Sequence, residues 1–293
     1  MKKTQTNHHI PVLLDEVLQY LSPASGETYL DLTSGYGGHA RQVLERTLNP
    51  SGLTLVDRDQ NSIDFLRKQA GFADAEIIHD DFLAAARTLQ GRQSQYDMIL
   101  ADLGVSSPHL DNPDRGFSIR DDGPLDMRMD QTHGLTAEAI VNTYDEAELV
   151  RILRDYGEEP RARRIAQLIL EHRPFSRTAE LAQVVKRAWP GHSKVHPATR
   201  TFQALRIAVN DELEMLRASL PVWITLLKPG GRIAVISFHS LEDRIVKEFF
   251  REYAGDRYDA PLRLLTKRVV TAGDQELVHN PRARSAKLRA AAK

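Results

Sequence analysis

A glycine-rich stretch near the amino terminus carries the residues that best fit a ligand-binding loop. It reads Asp-Leu-Thr-Ser-Gly-Tyr-Gly-Gly-His-Ala from Asp31 to Ala40, between an apolar run over residues 28–32 and a helical pattern. A strand, a glycine-rich turn and a helix form the first half of a nucleotide-binding βαβ unit. Glycines let the backbone turn sharply there and let a ligand approach it. We therefore predict a cofactor loop that includes Gly35, Gly37 and Gly38.

An acidic residue follows the next predicted strand, where ribose hydroxyls would bind. The apolar run 53–56 ends in Asp57, about twenty residues past the loop. The chain is therefore predicted to bind an adenosine-containing cofactor. The Gly-x-Gly-x-x-Ala spacing of the loop matches a nicotinamide dinucleotide site, whereas Asp31 could hold the cationic end of S-adenosylmethionine. Both cofactors stay open at this point, as does a glycine turn that binds nothing.

Composition excludes several classes of protein. The 293 residues are 41% hydrophobic and include no cysteine, which rules out disulfides, thiolate metal sites and cysteine nucleophiles. The 11 histidines show no metal-ligand spacing such as His-Glu-x-x-His, so no metal is expected. No segment is apolar enough to span a membrane, and no secretion signal is present, so a cytoplasmic protein is predicted.

Basic residues are concentrated in one part of a nearly neutral chain. The net charge is -1, yet residues 151–206 hold twelve Lys or Arg against five Asp or Glu, and residues 281–293 hold five basic residues and no acid. Such patches favour a polyanionic partner. Solvated helix faces with scattered arginines are the alternative.

The order of predicted elements indicates an α/β fold with an insertion. Strands and helices alternate through the first part of the chain and resume at residues 228–231, which predicts a Rossmann-like parallel sheet covered on both faces. A polar loop over 106–124 and a run of helices interrupt this alternation. The predicted organisation is a first α/β segment at 1–110 that carries the cofactor loop, an all-helical insertion at 111–211 and a sheet-completing segment at 212–293.

Local signals predict where three of the helices begin. A single long helix is expected from Ala198 to Leu220, and Thr143 with Glu146 resembles a capping box. Ser240 is the expected cap of the helix that follows the fifth strand. That interpretation leaves His239 as the functional candidate in this segment.

Several sequence blocks resemble one known family. They are His9–Glu16, the glycine loop, Asp102–Pro108, Arg115–Ser118, Asp122–Asp130, His196–Arg206, Ile236–Arg244 and Asn280–Ser285. Together they resemble the bacterial 16S ribosomal RNA (cytosine-N4) methyltransferase family, that of the ribosomal RNA small subunit methyltransferases H. The resemblance runs from His9 to the carboxyl terminus.

The resemblance implies a class I S-adenosylmethionine-dependent methyltransferase. Its acceptor would be the exocyclic N4 amino group of a cytosine in the decoding (P-site) region of 16S rRNA, within the 30S subunit, and a homodimer is possible. The implied cofactor contacts are Gly37, Gly38, His39, Asp57, Phe82 and Asp102, and the loop itself adds Asp31 and Gly35. His109 stands where the family usually has glutamine; we include it as a cofactor neighbour, although a charged imidazole would oppose a sulfonium.

Asp102 is the candidate catalytic residue. It follows the fourth predicted strand, and open α/β sheets bind ligands at such carboxyl ends. A carboxylate near the cytosine amino group could accept its hydrogen bond and its proton. The alternative is that Asp102 serves only the cofactor.

The insertion is the predicted RNA-recognition module. Its loop from Ser106 to Met129, with Phe117, is expected to grip a base that has left its helix. Phosphate contacts are expected from the arginines of the insertion, namely Arg161, Arg163 and Arg164, whereas Arg200 and Arg206 could face RNA or pair with buried acids. Two rival functions are a nicotinamide dehydrogenase and a ribosome-assembly factor that binds RNA without catalysis.

Overall fold

The chain divides into two compact units. The computed structural model describes residues 11–104, 112–132, 134–189, 191, 195–255 and 260–293. The first unit, here called the sheet unit, comprises Met1–Gly104 and Glu214–Lys293, and the second, the helical unit, comprises Val105–Leu213.

A seven-stranded sheet organises the sheet unit, in the order β3-β2-β1-β4-β5-β7-β6. The strands are β1 Tyr29–Asp31, β2 Leu53–Asp57, β3 Glu76–His79, β4 Tyr96–Asp102, β5 Leu227–Ser237, β6 Arg263–Leu264 and β7 Lys287–Ala292. Strands β1 to β5 pair in parallel, and β7 pairs antiparallel with β5 and β6. The predicted Rossmann-like α/β fold is confirmed.

The strand order sets where a ligand can bind. Successive strands build outward from β1 on one side through β2 and β3, and on the other side through β4 and β5. In open α/β sheets the crevice lies outside the carboxyl ends of the strands at this reversal. The central strands are buried on both faces, so their apolar runs are continuous rather than alternating.

The helices of the sheet unit are α1 Leu14–Leu21, α2 Gly38–Thr47, α3 Gln60–Arg67, α4 Phe82–Gly91, α11 Ser240–Tyr253 and α12 Asp274–His279. Two of them, α3 and α4, begin at acidic caps that closely follow the ends of strands. The side chain of Asp59 accepts from the amide of Asn61 at the start of α3, and Asp81 accepts from two amides at the start of α4. Each cap satisfies backbone donors that the first helical turn leaves unpaired.

The helical unit differs from the sequence predictions at two helix ends. Its helices are α5 Ala137–Thr143, α6 Glu146–Asp155, α7 Ala162–His172, α8 Thr178–Arg187 and α9 Thr199–Asn210, and α10 Glu212–Thr225 leads back into the sheet unit. The single helix predicted over 198–220 is wrong, because Asp211 has a left-handed φ of 51° and separates α9 from α10. The capping box predicted at Thr143 is also wrong. Asp145 and Glu148 form it, and Thr143 ends α5.

None of the described helices is both long and apolar enough to cross a membrane.

Candidate cofactor site

Hydrogen bonds to both neighbouring strands hold the glycine loop at the reversal of strand order. The amide of Ser34 donates to the carbonyl of Val56 in β2 (2.8 Å). On the other side, the amide of Asp102 in β4 donates to the hydroxyl of Thr33 (2.6 Å). The loop is therefore fixed between β2 and β4 at the carboxyl edge of the sheet.

The three glycines of the loop are needed for different reasons. Gly37 and Gly38 lie against the protein itself: an added Cβ would lie 2.5 Å from the ring of Phe72 at Gly37, and 2.7 Å from Pro11 at Gly38. Gly35, with a φ of +52°, would place a Cβ where nothing lies within 4 Å. Packing thus explains Gly38, and packing together with a left-handed φ of +75° explains Gly37. The left-handed φ of Gly35 favours glycine, and the space beside it leaves the backbone open to a ligand.

Asp57, the last residue of β2, holds the glycine loop by a hydrogen bond. Its Oδ2 accepts from the amide of Gly35 (2.7 Å), and its Oδ1 accepts from the amide of Asp59 (2.8 Å). Asp57 thus orders the loop at the end of β2, the position where an acidic side chain accepts from ribose hydroxyls in folds of this kind.

Asp31 is a buried carboxyl group at the end of β1. It is 2% exposed, and it accepts from the hydroxyl of Tyr29 (3.0 Å) and from the amide of Thr33 (3.2 Å). Burial raises the pKa of Asp31 from its ordinary value of 3.8 to about 6, and the nearby His39 opposes this rise. A negative charge at this position favours a cationic ligand group.

His39 and Asp102 lie together at the same edge of the sheet. The Nε2 atom of His39, in the first turn of α2, lies 3.6 Å from Oδ2 of Asp102, with side-chain exposures of 8% and 24%. Within the described part of the chain, neither ring nitrogen of His39 nor Oδ1 of Asp102 has a hydrogen-bond partner. Buried polar atoms without partners are rare, so this pair has hydrogen-bonding capacity available for a ligand.

Two other predicted cofactor neighbours gain no new support. Phe82 begins α4, and its ring contacts the ring of Trp223 edge-on, with centroids 5.6 Å apart at 75°. A contact of Phe82 with adenine stays a prediction. His109 lies outside the described residues, so its role also stays a prediction.

The prediction that Ser240 caps α11 is wrong. The cap of α11 is His239, whose ring nitrogen Nδ1 accepts from the amide of Glu242, while Ser240 is the first helical residue. Glu242 completes the capping box by accepting from the amides of Phe238 (2.8 Å) and His239 (3.3 Å). His239 thus has a structural reason to be where it is.

The loop predicted to grip RNA contains residues that stabilise the helical unit. Phe117 is 7% exposed and belongs to the apolar core of that unit. Arg115 is buried, and its guanidinium donates to the carbonyls of Arg128 (3.1 Å) and Met129 (2.7 Å). The prediction that Phe117 grips a base is therefore wrong for this conformation.

The predicted RNA-contacting arginines separate into structural and exposed groups. Arg161 donates to the carbonyl of Ala188 (2.6 Å) and lies 4.7 Å from the centroid of the Trp189 ring. Arg206 is paired at two points with Glu212 (2.8 and 2.7 Å).

The exposed members are Arg163 and Arg164, whose side chains are 83% and 55% exposed. Their acidic neighbours lie at 3.8 and 3.6 Å. Such exposed pairs contribute little to stability, which leaves both guanidinium groups accessible to a phosphate.

Sequence reasoning missed two side-chain contacts of the site, that of Tyr29 with Asp31 and that of His39 with Asp102. Tyr29 and Asp31 are two residues apart on one strand, so the period of two already put them on one face. His39 and Asp102 have no such signal, because only the adjacency of β1 and β4 brings them together.

The sheet order, the open glycine at the reversal point and the carboxylates that follow β1, β2 and β4 define the chain as a Rossmann-like, cofactor-binding α/β protein. The sequence profile described as the MraW methylase family matches residues 6–293, and the chain belongs to that family. Membership in a methylase family confirms S-adenosylmethionine as the cofactor and excludes the nicotinamide alternative.

Named relatives match along nearly the whole chain. A Synechocystis protein named ribosomal RNA small subunit methyltransferase H is 49% identical, over 98% of this chain and 93% of its own. A Halothermothrix orenii protein of the same name is 45% identical, over 97% of each chain. Among solved structures, TrmN from Thermus thermophilus is 14% identical over 99% of this chain and 51% of its own, with a TM-score of 0.46, which is too distant to inform the site.

Proposed function

We propose that the protein transfers a methyl group from S-adenosylmethionine to the exocyclic N4 of a cytosine in the decoding (P-site) region of 16S rRNA, within the 30S subunit. The substrate class is supported by the similarity to proteins named ribosomal RNA small subunit methyltransferase H, which are 45% and 49% identical over nearly the whole chain. The choice of cytosine and of N4 rests on the resemblance of the sequence blocks. Ribosomal subunits are assembled in the cytoplasm, so we expect the enzyme to act there.

The carboxyl edge of the sheet fits this cofactor. When bound, S-adenosylmethionine supplies an electrophilic methyl group on a positively charged sulfonium, next to an amino-acid group that carries an ammonium and a carboxylate. The open backbone at Gly35 admits the ligand, and Asp57 lies at the end of β2, where an acidic side chain accepts from ribose hydroxyls in such folds. The buried Asp31 contributes negative charge toward the ammonium and sulfonium groups.

Asp102 and His39 are suited to the acceptor side. The N4 lone pair of cytosine is delocalised into the ring, so the nitrogen is a weak nucleophile. The unpartnered Oδ1 of Asp102 can accept a hydrogen bond from the N4 amino group, which localises the lone pair and gives the released proton a destination. His39 lies 3.6 Å from the other oxygen, and its ring nitrogens, which have no partner among the described residues, can donate to the cofactor or to the base. The cytosine must be unpaired or flipped out to reach the site.

The experiment compares 16S rRNA from cells that have or lack the gene, by mass analysis of nuclease fragments. Cells without the gene should lose one methyl group at a decoding-region cytosine, and purified enzyme with S-adenosylmethionine should restore it on their 30S subunits. Methylation of a different base, or no difference between the two RNAs, would reject the proposed substrate.

A point variant tests the role of Asp102. Asp102→Asn keeps the shape of the side chain but removes its charge, so single-turnover methylation at saturating cofactor should fall about 10²–10⁴-fold. Affinity for S-adenosylmethionine should change much less, because the lost interaction develops in the transition state. Glu45→Gln, an exposed carboxyl change on α2, is the matched control. A near-normal rate at saturating cofactor would show that Asp102 only binds the cofactor.

A further inference from the structure

A small cationic pocket lies on the sheet unit between α11 and the β6–β7 edge of the sheet. Its volume is about 60 Å³, and its wall includes the side chains of Lys247, Arg251, Lys267 and Arg289 but no acidic residue. A cavity of this size can hold several water molecules, or an anionic group with part of its hydration. The concentration of positive charge at one cavity requires an explanation.

Only one of the four cations is neutralised by the protein. Arg289 makes two hydrogen bonds to Asp243, at 2.7 and 3.2 Å, and both side chains are largely buried. Lys247, Arg251 and Lys267 are exposed. Within the described ranges of the chain, none of these three takes part in an ion pair. The pocket therefore holds about three uncompensated positive charges.

The spacing of the two cations on α11 is electrostatically unfavourable unless an external anion binds near them. Lys247 and Arg251 are four residues apart and so lie on one face of the helix, where like charges repel. Asp243, four residues before Lys247 on that face, is already bonded to Arg289. An anion bound in the pocket would relieve the repulsion among all three cations.

Protection of a sheet edge is the competing explanation. Strand β6 is an edge strand, and charged side chains at an edge discourage pairing with another chain. This accounts for Lys267, which follows β6 in the chain. It does not account for the two cations that α11 contributes to the same cavity.

We propose that this pocket binds phosphodiester groups of the RNA strand whose cytosine enters the active site. The inference rests on the proposed function and adds a second RNA contact, on the sheet unit itself. His239 caps α11 at the carboxyl edge of β5, next to the edge that carries Asp102. Lys247 and Arg251 are then roughly 12 and 18 Å farther along the helix, at 1.5 Å per residue.

That separation corresponds to a short stretch of nucleic acid. At about 3.4 Å per stacked nucleotide, 12–18 Å is roughly four or five nucleotides. Phosphates that flank the target cytosine can therefore reach the pocket while the base occupies the site. Phosphate contacts position a nucleic acid without reading its sequence, so the pocket would set the register of the strand.

The test compares two triple variants that each remove three positive charges from the sheet unit. The pocket variant is Lys247→Ala, Arg251→Ala and Lys267→Ala, and the control is Arg46→Ala, Arg87→Ala and Arg92→Ala on other elements. Equilibrium binding of the full-length proteins to 30S subunits is measured over a salt series. Calorimetry with S-adenosylmethionine confirms that each variant retains its folded cofactor site.

The pocket variant should lower the slope of log affinity against log salt by about 2, at about 0.7 per single-strand phosphate contact. Its affinity near physiological salt should fall on the order of 10–50-fold by the same relation. The control triple should leave the slope unchanged, and the charge-preserving Arg251→Lys should remain close to wild type.

Equal losses of affinity for 30S subunits in the two triple variants would show that only net charge matters. That result would overturn the proposal that the pocket binds the RNA. An unchanged slope in the pocket variant, with a steep wild-type slope, would show that the RNA is held elsewhere. In both cases the wild type still methylates the subunit, so the proposed function survives. Failure of the wild type to bind or methylate 30S subunits would reject the proposed function together with this inference.

Discussion

Replacing Asp31 by asparagine should stabilise the protein without its cofactor and weaken cofactor binding. The carboxyl group is buried at the end of β1, and burial raises its pKa to about 6. At neutral pH the folded protein therefore holds a charge that its surroundings disfavour. The charge is maintained, in our proposal, because the ligand that binds beside it is cationic.

The size of the effect follows from the pKa of Asp31. The difference between 3.8 and about 6 is roughly 2 pKa units, and each unit corresponds to about 1.4 kcal/mol. The charged carboxylate thus reduces the stability of the folded state by about 3 kcal/mol above pH 6. Asparagine can keep both present contacts: its oxygen can accept from the Thr33 amide, and its amide can donate to the Tyr29 hydroxyl, which is able to accept.

The pH dependence of the two proteins should differ in a defined window. Well below pH 3.8 the carboxyl group is protonated in the folded and the unfolded chain, so Asp31 carries no penalty there. As the pH rises from 3.8 to about 6, the unfolded chain ionises first, and the wild type loses stability relative to Asp31→Asn. Above pH 6 the difference is constant. Affinity of the wild type for S-adenosylmethionine should show the opposite trend and fall as the pH drops below 6.

Urea unfolding of the cofactor-free proteins between pH 4 and 8 measures the first effect, and calorimetry over the same range measures the second. Glu45→Gln, which removes an exposed carboxyl group, is the control and should shift neither curve. Unfolding curves of wild type and Asp31→Asn that differ by the same amount at every pH would refute the account of stability. Equal cofactor affinity of the two proteins at pH 7.5 would refute the role of the charge in binding.

Two further changes test the division of roles within the site and the helical unit. Gly37→Ala should destabilise the fold by about 1–3 kcal/mol through overpacking, in addition to the strain of its left-handed φ, measured by urea unfolding. Gly35→Ala carries only the left-handed strain, roughly 1–2 kcal/mol, and should weaken cofactor binding in calorimetry. Unchanged cofactor affinity would contradict the assignment of Gly35 to the ligand. Arg163→Glu with Arg164→Glu should weaken binding to 30S subunits without changing the midpoint of thermal unfolding, whereas Arg161→Glu should lower that midpoint. If the double change leaves RNA binding unaffected, the RNA docks on another surface of the protein.

The sheet and its carboxyl-edge residues could be predicted from the sequence for a physical reason. Parallel strands that are covered on both faces must be continuously apolar, and the residues that end them are polar because they meet solvent or ligand. The apolar run before Asp57 and that before Asp102 therefore each identified a strand and a residue at the carboxyl edge of the sheet.

The sequence failed where tertiary packing decides the role of a residue. The apolar period continues through Asp211, so nothing local indicates the left-handed residue that divides α9 from α10. Phe117 stands in a segment with the composition of a solvated loop, yet it is buried in the helical core. Serine is the commoner helix cap than histidine, which is why the cap of α11 was assigned to Ser240 instead of His239.

The hydrogen bonds at the carboxyl edge differ between its cofactor side and its acceptor side. On the cofactor side, Asp57 already accepts from the Gly35 amide, so the loop has its closed geometry before any ligand binds. On the acceptor side, Oδ1 of Asp102 and both ring nitrogens of His39 lack partners among the described residues. Preorganisation reduces the entropy lost on binding the cofactor. If Asp102 serves the cytosine, as we propose, its unsatisfied oxygen gains a hydrogen bond only when that second substrate binds. Interactions formed at that stage can favour the transition state over the bound cofactor alone.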